Sequence, residues 1–245
     1  MQNRTVKTKA IVLKETQLRE ADKILVCLSS DLGRITVSAR GVRTHKSKNI
    51  AAASFLAYSD MLLYHSREMY ALSQSSLIDS FFDIRKDITR LTYASYFADI
   101  LLDSMQENEE AGNVMKLFLN ILHYLAKPGT DPVYLASLFE IRLLNEIGYT
   151  FDPEIRCAVC GNEKISGISI LKGAFMCGKC MKAGSIQISF QTAGIIKTMI
   201  ISSLKQALEL RPDSHDTERI KNISSRYLTA CLDKRYTKLD FLNTL

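Results

Sequence analysis

The chain has 245 residues, 47% of them hydrophobic and 24% charged, with a formal net charge of +6. These proportions suit a globular protein of one or two domains and exclude a disordered or fibrous chain. The longest apolar stretches, such as 195–201, contain polar breaks and fall far short of a bilayer span. No basic head followed by an apolar core marks an export signal, so a cytoplasmic protein with reduced thiols is expected.

The charge is unevenly placed. Residues 1–48 carry 11 Lys+Arg against 4 Asp+Glu, whereas the remainder is nearly balanced. Within 34–48 lie Arg34, Arg40, Arg43, Lys46 and Lys48, with His45 and no acidic residue. Such asymmetry points to a polyanion partner. On charge alone, a solvated, solubilising face explains it equally well.

The first 80 residues read as strands over 6–13, 24–29, 33–40, 55–64 and 69–75, short β-rich runs parted by polar or Gly-containing turns. In the third, Ile35, Val37 and Ala39 alternate with Arg34, Thr36, Ser38 and Arg40, which places both arginines on the wet face. Lys7 and Lys9 share a face of the first strand by the same rule. Five short strands with a basic face suit a small closed barrel; the OB-fold is the five-stranded barrel that binds oligonucleotides, and an SH3-like barrel fits nearly as well. Tyr58 and Tyr64 share parity with Leu56 and Leu62, which leaves core and base platform equally open.

From about residue 81 the period becomes helical. Ile84, Ile88, Leu91, Ser95, Ala98, Leu102 and Met105 form one stripe. Val114, Leu117, Phe118, Ile121 and Leu125 form a second, ended by Lys127-Pro128-Gly129. Pro132 is placed to open a third helix, with Leu135, Phe139, Leu143 and Ile147 in line before Gly148. Two further helices are expected, one carrying Ile196, Ile200, Leu204 and Leu208, the other Ile220, Ile223, Tyr227 and Cys231. These stripes read as bundle core.

Between those helices sit Cys157-Ala-Val-Cys160 and Cys177-Gly-Lys-Cys180, separated by 16 residues. Two C-x-x-C turns at that spacing can wrap four thiolates tetrahedrally around one zinc ion. Gly161 and Gly178 are expected where the backbone turns its amides towards sulfur, and the segment between is long enough for a small hairpin. Four cysteines close the shell, so the site reads as one structural zinc per chain rather than a catalytic centre. The competing readings are a disulfide pair or four unrelated thiols. Cys27 and Cys231 read as small buried hydrophobes.

No Walker loop, dinucleotide-binding glycine pattern, H-E-x-x-H or G-x-S-x-G is present. His45, His65, His123 and His215 are scattered. No catalytic residue is assigned, and the chain is expected not to be an enzyme.

The block Gly33-Arg-Ile-Thr-Val-Ser-Ala-Arg40-Gly41-Val-Arg43 with its basic tail to Lys48 resembles the RecO family of bacterial DNA repair proteins. So do Asn145-Glu-Ile-Gly-Tyr149, the two cysteine pairs with Gly161, and Arg226-Tyr-Leu with Leu239-Asp-Phe-Leu242. The resemblance covers nearly the whole chain, in order. It implies an α+β protein with an N-terminal OB domain over 1–80 and a helical domain over 81–245, with a zinc knuckle inserted at about 151–186. It further implies recombination mediation: binding single- and double-stranded DNA, annealing strands coated with single-stranded DNA-binding protein, and helping to load RecA together with RecR. DNA, RecR and single-stranded DNA-binding protein would be direct partners, RecA an indirect one, the nucleoid the setting, and no membrane would be involved. Lys7, Lys9, Arg34, Arg40, Arg43, Lys46 and Lys48 are the expected DNA-binding residues. A zinc-ribbon transcription or RNA-associated factor would share these features, and a helical interaction scaffold would tolerate their loss.

Overall fold

The computed structural model describes residues 5–66 and 69–244. They form two compact units, one from the described residues up to Ala126 together with those from Lys238 onward, the other from Lys127 to Thr237.

The first unit is built on five strands: β1 (Thr5–Gln17), β2 (Lys23–Ser29), β3 (Gly33–Ala39), β4 (Tyr58–Ser66) and β5 (Met69–Asp79). They close into a barrel in the order β1-β2-β3-β5-β4, an architecture that fits the OB-fold. Closure depends on β1, which pairs with β4 through Thr5–Ile11 and with β2 through Ala10–Gln17. A register shift between Val12 and Lys14 bends the strand as bulges do. The alternation read in β3 holds: Ile35, Val37 and Ala39 are buried and Thr36 and Ser38 are half-buried. With Val12, Leu25, Cys27, Met61 and Leu63 they fill the barrel, and Val42, Ala53 and Ala57 from the β3–β4 connection plug it. Each large aliphatic side chain so buried is worth about 1.5–3 kcal/mol.

Three helices complete this unit: α1 (Phe82–Arg85), α2 (Ile88–Ser104) and α3 (Gly112–Ala126). Asp87 caps α2 by accepting hydrogen bonds from the amides of Thr89 and Arg90. The stripe expected for α2 is corrected by the structure. Ile84, Ala98 and Met105 are buried as expected, but Ile88 is 54% exposed, Leu91, Ser95 and Leu102 are half-buried, and the helix also buries Thr92, Tyr93, Ala94, Tyr96, Phe97, Ile100 and Leu101. The helix lies against β1, α1, α3 and a terminal 3-10 turn (Lys238–Thr244), so it is covered on several sides and no narrow apolar stripe is needed. The α3 stripe is buried as read. Lys238 pairs with Asp99 of α2 at 2.6 Å.

The second unit holds α4 (Pro132–Glu146), a small sheet of β6 (Ile165–Ser169), β7 (Ala174–Cys177) and β8 (Ile186–Gln187), then α5 (Phe190–Ile201), α6 (Leu204–Glu209) and α7 (Ser214–Leu232). Pro132 occupies the first turn of α4 behind the Asp131 cap. The single helix expected across Ile196–Leu208 is two, because Ser203 and Gln206 form a capping box that starts α6 afresh. Among the described residues no helix is long and apolar enough to cross a membrane.

Candidate metal centre and nucleic-acid interface

The hairpin between the cysteine pairs is β6–β7, and it brings the two turns together. The Sγ atoms of Cys157, Cys160, Cys177 and Cys180 all lie within 4.8 Å of one another. Those of Cys160 and Cys177 are 3.7 Å apart, too far for a disulfide. Sulfurs about 2.3 Å from a tetrahedral zinc stand about 3.8 Å from each other, so the spacing fits such an ion.

Each turn closes through its own backbone. The amide of Gly161 donates to the carbonyl of Cys157 at 2.8 Å, and those of Cys180 and Met181 donate to that of Cys177 at 3.1 Å. Gly161 has φ +72°, which favours glycine. Gly178 is not in the left-handed region, so the conformational role expected for it does not apply.

The thiols pull apart in acidity. Hydrogen bonding from the Cys177 backbone holds the Cys157 thiol down at about 6. Hydrogen bonds shared with the Cys177 and Cys160 sulfurs push Cys180 up to about 12. Like charges crowded at these distances resist simultaneous ionisation, and a bound cation removes the conflict. The donor set therefore fits a closed, thiolate-loving metal site. A second cluster, Asp213, His215 and Asp216, lies at the start of α7, where Asp213 accepts from the Asp216 amide as N-cap. All four histidines are exposed.

The basic residues sort into three groups. Lys7 and Lys9 are exposed on one face of β1, with buried Thr8 between. Arg40, Arg43, Lys46 and Lys48 are exposed at the end of β3 and along the connection that follows. Arg43 is braced there, donating from Nη1 to the Glu20 carbonyl at 2.8 Å. Arg34 differs from the expectation of an open wet face. It is half-buried, and its Nη1 donates to the Leu102 carbonyl at 2.6 Å, because the end of α2 covers that part of β3.

The parity left open for Tyr58 and Tyr64 is decided by β4. Ser59, Met61 and Leu63 point inward with no exposure, so Tyr58, Asp60, Leu62 and Tyr64 line the outer wall. Leu56 is not part of that pattern; it lies before the strand, at φ +62°.

Asn49 was not singled out by the sequence. Its Nδ2 donates to the Ser73 carbonyl at 3.3 Å, and its Oδ1 accepts from the Ser75 amide at 3.0 Å and the Ser75 hydroxyl at 2.8 Å. β5 needs that support, since β3 pairs with it only at Tyr70 and Ala71 and Ser73 is an unmatched bulge residue opposite β4.

Known sequences match along the whole chain. The family described as "Recombination protein O N terminal" matches residues 1–81, and "Recombination protein O C terminal" matches residues 85–240. A "DNA repair protein RecO" of Acetivibrio thermocellus is 36% identical over 98% of this chain and 97% of its own length. One from Caldicellulosiruptor bescii is 32% identical over 96% and 97%. One from Clostridium novyi is 28% identical over 98% and 94%.

Proposed function

This chain belongs to the RecO family of DNA repair proteins, and from that premise we propose that it is a recombination mediator acting without catalysis of its own. In this reading it binds single- and double-stranded DNA, anneals complementary strands coated with single-stranded DNA-binding protein, and works with RecR to load RecA, in the cytoplasm at the nucleoid. Residues 1–80 serve as the nucleic-acid-binding domain and 81–245 as the helical domain.

The observation that carries this is the exposed run Arg40, Arg43, Lys46 and Lys48 on a closed barrel, without an acidic residue among them. Annealing needs no reacting group. It needs two polyanions neutralised so that complementary bases can meet, with contacts loose enough to release the duplex. Arg40, Arg43, Lys46, Lys48, Lys7 and Lys9 would hold phosphates, and Arg34 would add positive potential from its place against α2.

The four cysteines would hold one structural Zn2+, which in a closed thiolate shell supplies folding energy and no nucleophile. Cys157 and Cys177, both buried, would anchor the ion to the sheet, and Cys160 and Cys180 would complete its shell on the wetter side.

The test is annealing of complementary strands, each coated beforehand with the cognate single-stranded DNA-binding protein. Duplex should form several-fold faster with the protein than without. A folded protein that leaves the rate unchanged overturns the reading.

A further inference from the structure

The loop that carries Arg40–Lys48 is held near the β1–β2 turn through Gly41 and Arg43 and is tied again, at its far end, to β5. Asn49, directly after Lys48, bonds the main chain of β5 at Ser73 and Ser75. The next strands continue outward from there in register: Gln74 of β5 stands opposite Leu62 of β4, and Leu62 opposite Lys7 of β1. Gln74 and Lys7 are exposed and Leu62 is half-buried, so all three belong to the outer wall. Adjacent strands are about 4.8 Å apart, so the row from β5 to β1 spans about 10 Å. A groove of about 410 Å³ lies along it, lined by Lys7, Asp60, Leu62, Gln74 and Ser76 among others.

Tyr64 stands on the same wall two residues beyond Leu62, and it is 38% exposed. The residues paired with it are Thr5 and Ala71, both short, which leaves part of its ring open to solvent.

We propose that one DNA strand leaves the basic loop at Lys48, crosses β5 and β4 along this groove, and ends on Lys7 and Lys9, with an unpaired base stacked on Tyr64. This rests on the reading that the barrel binds nucleic acid, and it adds a path and a second contact area to it. The occupant is single-stranded because an aromatic face can stack only on a base that is free of a duplex. Charge agrees at both ends of the path, and between them the wall is polar or aliphatic. Asp60 opposes this locally, since it stands opposite Lys9, so Lys7 carries more of the attraction than Lys9. Asn49 acts as a positioning residue: it touches no nucleotide and sets the loop in line with the groove.

Binding of a fluorescent deoxythymidine oligonucleotide, followed by anisotropy at several salt concentrations, tests this with circular dichroism as the folding control. Tyr64→Ala should weaken binding by about 5- to 100-fold, as loss of a stacked base does, while Tyr64→Phe stays within about twofold. Lys7→Ala should reduce the log–log salt slope by about 0.7. Asp60→Asn should bind about threefold more tightly. Asn49→Ala should weaken binding in the native background and add nothing in Lys46→Ala/Lys48→Ala, because it works through that loop; an equal loss in both backgrounds overturns its positioning role. If Tyr64→Ala and Lys7→Ala bind normally while Arg40→Ala/Arg43→Ala is weakened, the path is wrong and the barrel reading stands. If all of them bind normally, the barrel reading itself fails. A loss for Tyr64→Ala that is as large with blunt duplex DNA rejects stacking.

Discussion

The Arg34 guanidinium donates to the Leu102 carbonyl at 2.6 Å, near the last turn of α2, where helix carbonyls lack partners of their own. The Arg34 amide donates to the Gln106 carbonyl at 2.9 Å as well, so strand and helix end are fastened twice. A cation at a helix C-terminus is favourable in addition to the bond it makes. Arg34→Ala should therefore cost about 1–3 kcal/mol of stability, seen in urea unfolding. The salt slope for DNA should change by less than the full about 0.7 that a direct phosphate contact implies.

The exposed loop should behave in the opposite way. If Arg40, Arg43, Lys46 and Lys48 each neutralise one phosphate, they contribute about −2.8 to the single-strand salt slope. Arg40→Ala/Arg43→Ala should shrink that slope by about 1.4 and lower affinity similarly for unrelated sequences. Anisotropy titrations across a salt series measure both quantities. Stability should move little, because both side chains are exposed.

Metal analysis of protein purified without chelator should give about one zinc per chain. Cys157→Ser/Cys160→Ser should release it and lower the melting temperature, since binding at a structural site is folding energy. Absence of zinc together with four freely reactive thiols would reject the assignment.

Cys27 supplies a pH dependence with a definite sign. Burial inside the barrel raises its thiol from 9.0 to about 12. The folded state thus holds this proton more tightly than the unfolded chain does. Its contribution is intact below about pH 9 and is lost as pH rises towards 12. Between about pH 8 and pH 10 the wild type should lose on the order of 1 kcal/mol more than Cys27→Ala. Urea unfolding of both proteins at the two pH values isolates the contribution of this one thiol.

What could be read in advance was whatever has a local signature. The alternation of Ile35, Val37 and Ala39 gives β3 and its inward face directly, and the cysteine spacing gives the cluster. The break between α5 and α6 was also written in Ser203-Leu-Lys-Gln206, but a continuous apolar spacing across Ile196–Leu208 hides it. Arg34 and Asn49 were not legible. Both act through hydrogen bonds to residues 68 and 24 or 26 positions away, and nothing beside them in the chain announces those partners. α2 failed for another reason. A helix covered from several sides buries adjacent residues, Thr92, Tyr93 and Ala94 and then Tyr96, Phe97 and Ala98, which point in directions that no single stripe describes.

Phe151 meets Phe175 of β7 edge-on at 5.7 Å and Tyr227 of α7 at 5.5 Å. At the hairpin turn Gly173 has φ +54°, and a Cβ there would come within 2.8 Å of the Tyr227 hydroxyl oxygen. The cysteine-bearing segment is thus keyed into α7 by aromatic rings, rather than hanging from the chain as a detachable finger. Trimming it away to make a minimal protein would uncover one side of Tyr227 and leave a hole beside α7 where the rings had met. The segment behaves as a keystone, and an engineer who wants this protein without its cysteines should replace the sulfurs and keep the hairpin.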